Sequence, residues 1–364
     1  MEFEAYIFSD LGGELKTFTK NYTIEEFILC PVEEVNNLKP KEERVCRFCG
    51  LNYSQTTFEN KPHIISELLG NKYLISDFEC DKCNNFFGAN YENDLANFLG
   101  MSRTFLNVKN KKDKVPEFNS PGYKFLAKRT DFFGVKEGLK ISISNSAKDI
   151  FHIDRKAGNA EIRYPKQSYT PLKVYKALLK IALSIIPECY VADYKYAFDG
   201  LFDDNERFSS VAKILHYQLS YNHKVKQPVC FLFKKLEPES RITNHVFAFY
   251  FQNQVFEFPI PFCRSDIGNG LYNGIPCSIP LCPPFLFSEP DLNTDYFRIV
   301  RDFSSNKKLR EEDSIFFSFE PNEIKNLKAY NITTGEETDT VFNPDEITEI
   351  YIAPYNSKAS FPKS

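Results

Sequence analysis

Between Thr170 and Pro187 the apolar residues recur at helical spacing. Tyr175, Leu178, Leu179, Ala182, Ile185 and Ile186 share one stripe. Thr170 is placed as the N-cap, Pro171 takes the first helical position and Pro187 stops the run. Lys173, Lys176 and Lys180 fall mostly off the stripe. A second helix is expected over 193–201. Elsewhere the pattern alternates. Residues 140–153 read as one or two strands, 161–164 as a short one and 229–234 as another; 245–258 read as a hairpin turning near Asn253. Phe247, Phe249 and Phe251 then form a sheet face in the core. Further strands are expected at 314–320 and 348–353. Residues 1–40 form a mixed segment anchored by Tyr6, Phe8, Phe27 and Leu29, and residues 260–293 are loop-like.

These elements predict an α+β protein: a small N-terminal core, residues 41–100, followed by a larger α+β domain over 135–364. Residues 101–134, broken by Pro116, Pro121 and Gly122, read as a linker or arm. The chain has 364 residues, enough for two domains with sizeable cores. No apolar run approaches the length of a membrane span. The first residues, MEFEAYIFSD, are acidic and lack the build of a signal peptide, so a cytoplasmic location and no membrane partner are expected. In that compartment the ten cysteines are expected as thiols or metal ligands, not disulfides.

Four of them have metal-hook spacing. Cys46 and Cys49 form one Cys-x-x-Cys pair and Cys80 and Cys83 another, with thirty residues between the pairs. Two such hooks give the closed four-thiolate site that zinc takes in structural roles. A site of this kind builds structure and performs no catalysis. Cys30, Cys189 and Cys230 read as buried thiols, and Cys263, Cys277 and Cys282 lack hook spacing.

The residues around the hooks carry a resemblance. Cys46-x-x-Cys49 is followed by His63-Ile64-Ile65, then Leu69-Gly70-Asn71, then Cys80-x-x-Cys83-Asn84. In this order they resemble the zinc-knuckle HNH endonucleases, the ββα-metal nuclease fold, over about residues 44–99. The resemblance implies His63 as general base and Asn84 as a ligand of a catalytic divalent ion, magnesium or manganese. Imidazole has the right pKa for the base, and a hard divalent ion stabilises the leaving oxygen of a phosphodiester. The sequence departs from the family pattern in two places. Pro62 stands where many relatives carry an acidic ligand, and Asn71, the only Asn between His63 and Cys80, lies at a longer offset from the second hook. Glu67, Asp81 and Glu92 are candidates for the missing acid. Glu92 is preferred because a helix running on from Asn84 brings it back towards the site, about 80° from the Asn84 direction.

Net charge first argues against a nucleic-acid enzyme, since it is −4. The charge is uneven, however. Residues 103–129 hold eight basic and two acidic side chains, +6 in 27 residues, which leaves −10 elsewhere. Arg103, Lys109, Lys111, Lys112, Lys114, Lys128 and Arg129 are candidate phosphate contacts. Phe105, Phe118, Tyr123 and Phe125 are interleaved with them and suited to stacking on bases.

The expectation is thus a metal-dependent endonuclease acting on DNA, with RNA left open. Its C-terminal domain would provide recognition, oligomerisation or response to an activating ligand, as in an antiviral defence nuclease. The rival expectation is a non-catalytic zinc module that binds nucleic acid or a partner.

Overall fold

A computed structural model of the chain describes residues 5–34, 38–110, 113–123, 125–144, 150–154, 158–203, 206–238, 240–272, 281–290, 294–318, 329–330, 337–338 and 348–353. In chain order the helices are α1 (Gly12–Thr19), α2 (Asp81–Phe87), α3 (Asn93–Leu99), α4 (Ser102–Phe105), α5 (Pro171–Ile185), α6 (Lys195–Gly200) and α7 (Arg264–Gly268). The strands are β1 (Tyr22–Leu29), β2 (Phe118–Asn119), β3 (Phe125–Phe132), β4 (Val135–Ile143), β5 (Phe151–Asp154), β6 (Asn159–Pro165), β7 (Lys213–Leu219), β8 (Val229–Lys235), β9 (His245–Phe251), β10 (Gln254–Pro259), β11 (Tyr296–Asp302), β12 (Glu312–Ser318), β13 (Ala329–Tyr330), β14 (Glu337–Thr338) and β15 (Glu349–Ile352).

The mixed helix and sheet content agrees with the α+β expectation. Two compact units result, each made of two chain segments: Met1–Leu95 with Thr170–Lys308, and Ala96–Tyr169 with Leu309–Ser364. This grouping follows packing and not chain order, so its bounds differ from those expected at 40, 100 and 134.

In the first unit an antiparallel sheet runs in the order β1-β8-β9-β10-β7-β11. Strand alternation sends its side chains to two faces, and both are apolar. Phe231 and Phe233 of β8, Val246, Ala248 and Tyr250 of β9, and Tyr217 of β7 join Phe8, Phe18 and Leu286 in one core. Phe247, Phe249 and Phe251 are buried on the strand positions between, as their alternation predicts. The β9–β10 hairpin turns at Gln252 and Asn253.

Helix α5 begins after Thr170 with Pro171 in its first turn, and Ile186 ends it in extended geometry. Thr170 makes no side-chain cap; its backbone N–H donates instead to the Asp94 carboxylate. The helix is buried on nearly every side. Lys176 and Lys180, mostly off the apolar stripe, are buried too. A lysine can be buried when its ammonium finds acceptors. Lys176 donates to the Asp203 carbonyl, and Lys180 is described below. The second helix is shorter than expected, α6 being preceded by a tight 3-10 stretch, Glu188–Tyr194. Leu29 and Cys189 are exposed, correcting their placement as an anchor and a buried thiol.

In the second unit the sheets run β15-β4-β3-β2 and β12-β6-β5. Their apolar residues meet in a core that includes Phe118, Phe125, Ile141, Ile162 and Tyr164. Part of the expected linker is therefore folded. Phe118 and Phe125 are core residues, Phe125 stacked on Tyr164 at 5.3 Å, and are not available to stack on bases.

Candidate metal centre and a histidine on a clamped loop

The first hook is a tight turn. Cys46 N–H donates to the Leu51 carbonyl at 2.8 Å and Gly50 N–H to the Cys46 carbonyl at 2.8 Å. Gly50 sits at φ 75°, a left-handed conformation that glycine adopts without a Cβ penalty. The second hook opens a helix, with Cys80 at the N-cap of α2 and Cys83 in its first turn. The four Sγ atoms lie within 4.8 Å of one another. The Cys46–Cys83 and Cys49–Cys80 distances are both 3.7 Å. Thiolates around a tetrahedral zinc, each at about 2.3 Å from the metal, stand about 3.8 Å apart, so the donor set fits that ion. Among the described residues the cluster groups these four cysteines alone.

His63 lies between the hooks, bridged to Ile75 across a short hairpin-like loop. Asn71 organises that loop and is fully buried. Its amide donates to the carbonyls of Ile65 (2.6 Å) and Leu74 (3.0 Å), while its side-chain oxygen accepts from Tyr73 and Leu74 N–H. The neighbouring Lys72 carbonyl faces His63 Nε2 at 3.3 Å. A carbonyl only accepts, so in this contact Nε2 is the donor, which in the neutral ring leaves Nδ1 as the acceptor. Glu67 Oε1 is 3.7 Å from the same Nε2, and both side chains are largely buried.

The other candidates are distributed unevenly. Asn84 is half-buried in the first turn of α2; the helix starts three residues before it, so it is not the cap. Asp81 is committed to structure. Its carboxylate accepts from Glu59 N–H at 3.0 Å and Asn60 N–H at 2.8 Å. Burial pushes its pKa up, but the hydrogen bonds from Thr57, Glu59 and Asn60 outweigh it and hold the group below its usual value. Glu92 is exposed at the end of a π-helical turn, Gly88–Glu92, between α2 and α3. The carboxylate that accompanies His63 is that of Glu67.

The sequence reading gave no site role to three charged residues. Glu79, directly before the second hook, is buried and faces Lys180 Nζ at 2.8 Å. Lys180 Nζ also donates to the His63 carbonyl at 2.9 Å. Arg47, inside the first hook, lies over the Phe78 ring at 3.9 Å and donates to the Ser184 and Ile186 carbonyls at 2.8 and 2.9 Å, closing the C-terminal end of α5. A lysine within a mostly apolar helix was the one available signal, since burial there requires a partner.

Among the basic residues, Lys109 pairs with Asp113 at 3.3 Å, and Lys114 is exposed. Lys128 and Arg103 are half-buried. Arg129 is half-buried and acts as a brace: its guanidinium donates to the Thr104, Phe105 and Glu137 carbonyls. Lys111, Lys112 and Cys277 lie outside the described residues. Among the described residues no helix is long and apolar enough to cross a membrane.

Four cysteines able to hold one metal ion thus enclose a histidine loop and are followed by a helix. Residues 46–99 match the family model described as HNH endonuclease. No curated protein and no solved structure matches the chain.

Proposed function

We propose that residues 46–99 are the catalytic part of a metal-dependent endonuclease that hydrolyses DNA phosphodiester bonds. The observation that supports this best is His63: a histidine tied by Nε2 to a backbone carbonyl, inside the matched segment and between the two hooks. In this reading Nδ1 takes the proton of the attacking water, and the Lys72 carbonyl and Glu67 stabilise the imidazolium that results. Asn84, with an oxygen donor on the helix that the second hook starts, would hold magnesium or manganese; such an ion supplies charge stabilisation at the leaving oxygen. Glu92 remains the proposed additional acid, from its exposed place on the π-helical turn. Arg103, Lys109, Lys114 and Lys128 are proposed to contact the phosphate backbone without reading bases.

Supercoiled plasmid incubated with magnesium or manganese is expected to be nicked. His63→Ala, with its zinc retained, is expected to lose at least about 10²-fold in rate. Full activity in that variant would remove His63 as the base. Inactivity of the native protein on both DNA and RNA would favour the second reading, a non-catalytic zinc module, for which Pro62 in the place of the usual acid speaks.

A further inference from the structure

Lys180 lies on α5, more than eighty residues beyond the matched segment, yet its ammonium reaches into that segment twice. It donates to the main-chain carbonyl of His63 at 2.9 Å and faces the Glu79 carboxylate at 2.8 Å. It also lies 5.7 Å from the centre of the Phe48 ring and 5.9 Å from that of Phe87. Phe48 belongs to the first hook, Glu79 adjoins the second, and Phe87 ends α2. One side chain therefore meets both hooks, the helix they launch and the backbone of the histidine between them.

The same helix is held a turn further on. Arg47 of the first hook donates to the carbonyls of Ser184 and Ile186. With a rise of 1.5 Å per residue, Lys180 and Ser184 are about 6 Å apart along the axis. Helix α5 thus acts as a short ruler. Arg47 fixes its end against the first hook, and Lys180 fixes His63 one turn earlier. A zinc ion on the four cysteines would hold the hooks together, and residue 63 is not among those four ligands, so its loop needs a separate anchor.

We infer that Lys180 is a positioning residue of the nuclease site, setting where the His63 backbone stands relative to the two hooks. The inference rests on the nuclease reading for its effect on rate, and on the contact itself for its effect on the loop. Glu79 supplies the counter-charge of the buried ammonium, while the hydrogen bond to the His63 carbonyl is made by Lys180 itself.

The test uses the full-length zinc-loaded protein and four variants. Lys180→Met removes the donor but leaves Glu79 buried without its cation, so the double variant Lys180→Met/Glu79→Gln supplies a version with no stranded charge. Glu79→Gln keeps the donor to His63, and Lys180→Arg restores a cation. In the double variant kcat is expected to fall by about 10²-fold with KM unchanged, as for a group moved by about an ångström. Zinc content should stay at the native level. Lys180→Arg should recover part of the loss, and Glu79→Gln should stay near native activity. Hydrogen exchange of residues 62–76 should speed up in the double variant and not in Glu79→Gln.

A double variant with native kcat overturns the inference, as does a loss of kcat with unchanged exchange over 62–76. If the native protein cleaves neither DNA nor RNA, the nuclease reading fails, and the exchange result alone then decides whether Lys180 anchors the loop.

Discussion

Arg129 and Lys180 show how much a charged side chain's surroundings decide its role. From the sequence, Arg129 belongs to a basic run and Lys180 falls mostly off the apolar stripe of a helix. In the fold, Arg129 spends its guanidinium on three carbonyls around the end of α4 and the β3–β4 turn. Its truncation should therefore act on stability. Arg129→Ala is expected to destabilise the protein by about 2–3 kcal/mol, since charge-assisted hydrogen bonds to main-chain carbonyls are lost. Chemical denaturation reads this directly. Lys114→Ala, at an exposed position, should leave the denaturation midpoint unchanged while weakening plasmid binding at low salt. A stable Arg129→Ala variant with weakened binding would return that residue to the phosphate-contact group.

At the scale of elements, regular periodicity was the most legible feature. Helix α5, strand β8 and the β9–β10 hairpin follow from spacing because each is long and mostly apolar. Strand β3 was missed because Lys128 and Arg129 interrupt its apolar alternation, and β11 because it is an edge strand with Phe297 and Val300 exposed. The site divides along similar lines. The hooks and His63 are local in sequence and could be read from it. The Lys180 contact joins residues 117 apart, so no local pattern contains it. Glu67 was visible as a candidate, but only the loop geometry sets its carboxylate 3.7 Å from His63 Nε2.

The second hook also makes a prediction about an element. Because Cys80 caps α2 and Cys83 lies in its first turn, helix and metal site should form together. Cys80→Ser, or a strong chelator, is expected to release zinc and unfold residues 44–99, with several kcal/mol of the metal's ~10–16 kcal/mol apparent binding energy lost from the fold. Limited proteolysis within this segment, matched to metal content, checks it. A chelated protein that resists cleavage there as well as the native one would show that the segment folds without metal.

For the whole molecule, two buried groups in the six-stranded sheet act on stability in opposite directions of pH. Glu257 on β10 accepts from Cys282 N–H at 2.8 Å, and burial pushes its carboxyl from 4.5 up to about 8. Between those values the unfolded chain has released a proton that the native protein keeps. Stability therefore falls as pH rises, by up to about 1.4 kcal/mol per unit. His245 Nδ1 on β9 accepts from the Tyr194 hydroxyl at 2.7 Å; burial, with Lys234 and Lys235 nearby, pushes the imidazole from 6.5 down to about 3. There the unfolded chain gains a proton that the native protein refuses, and stability falls as pH drops below 6.5. In the overlap, from 4.5 to 6.5, the two slopes cancel. The pair's contribution is thus level there, falls towards pH 8 and falls again towards pH 3. Urea midpoints of Glu257→Gln should lose the alkaline decline and keep the acid one. An unchanged alkaline decline in that variant would place its source elsewhere.

The ruler formed by α5 also has a consequence for synthesis. The chain emerges from the ribosome N-terminus first, at about 5–20 residues per second. His63 therefore precedes Lys180 by 117 residues, or about 6–23 s, and Arg47 waits longer still for Ser184, 137 residues downstream. The hooks are complete at residue 83 and can take up zinc during that interval. The nascent knuckle would then be metal-loaded while its histidine loop still lacked its anchor, so that under the proposed nuclease reading cutting competence would arrive late in translation, after the helix has been made.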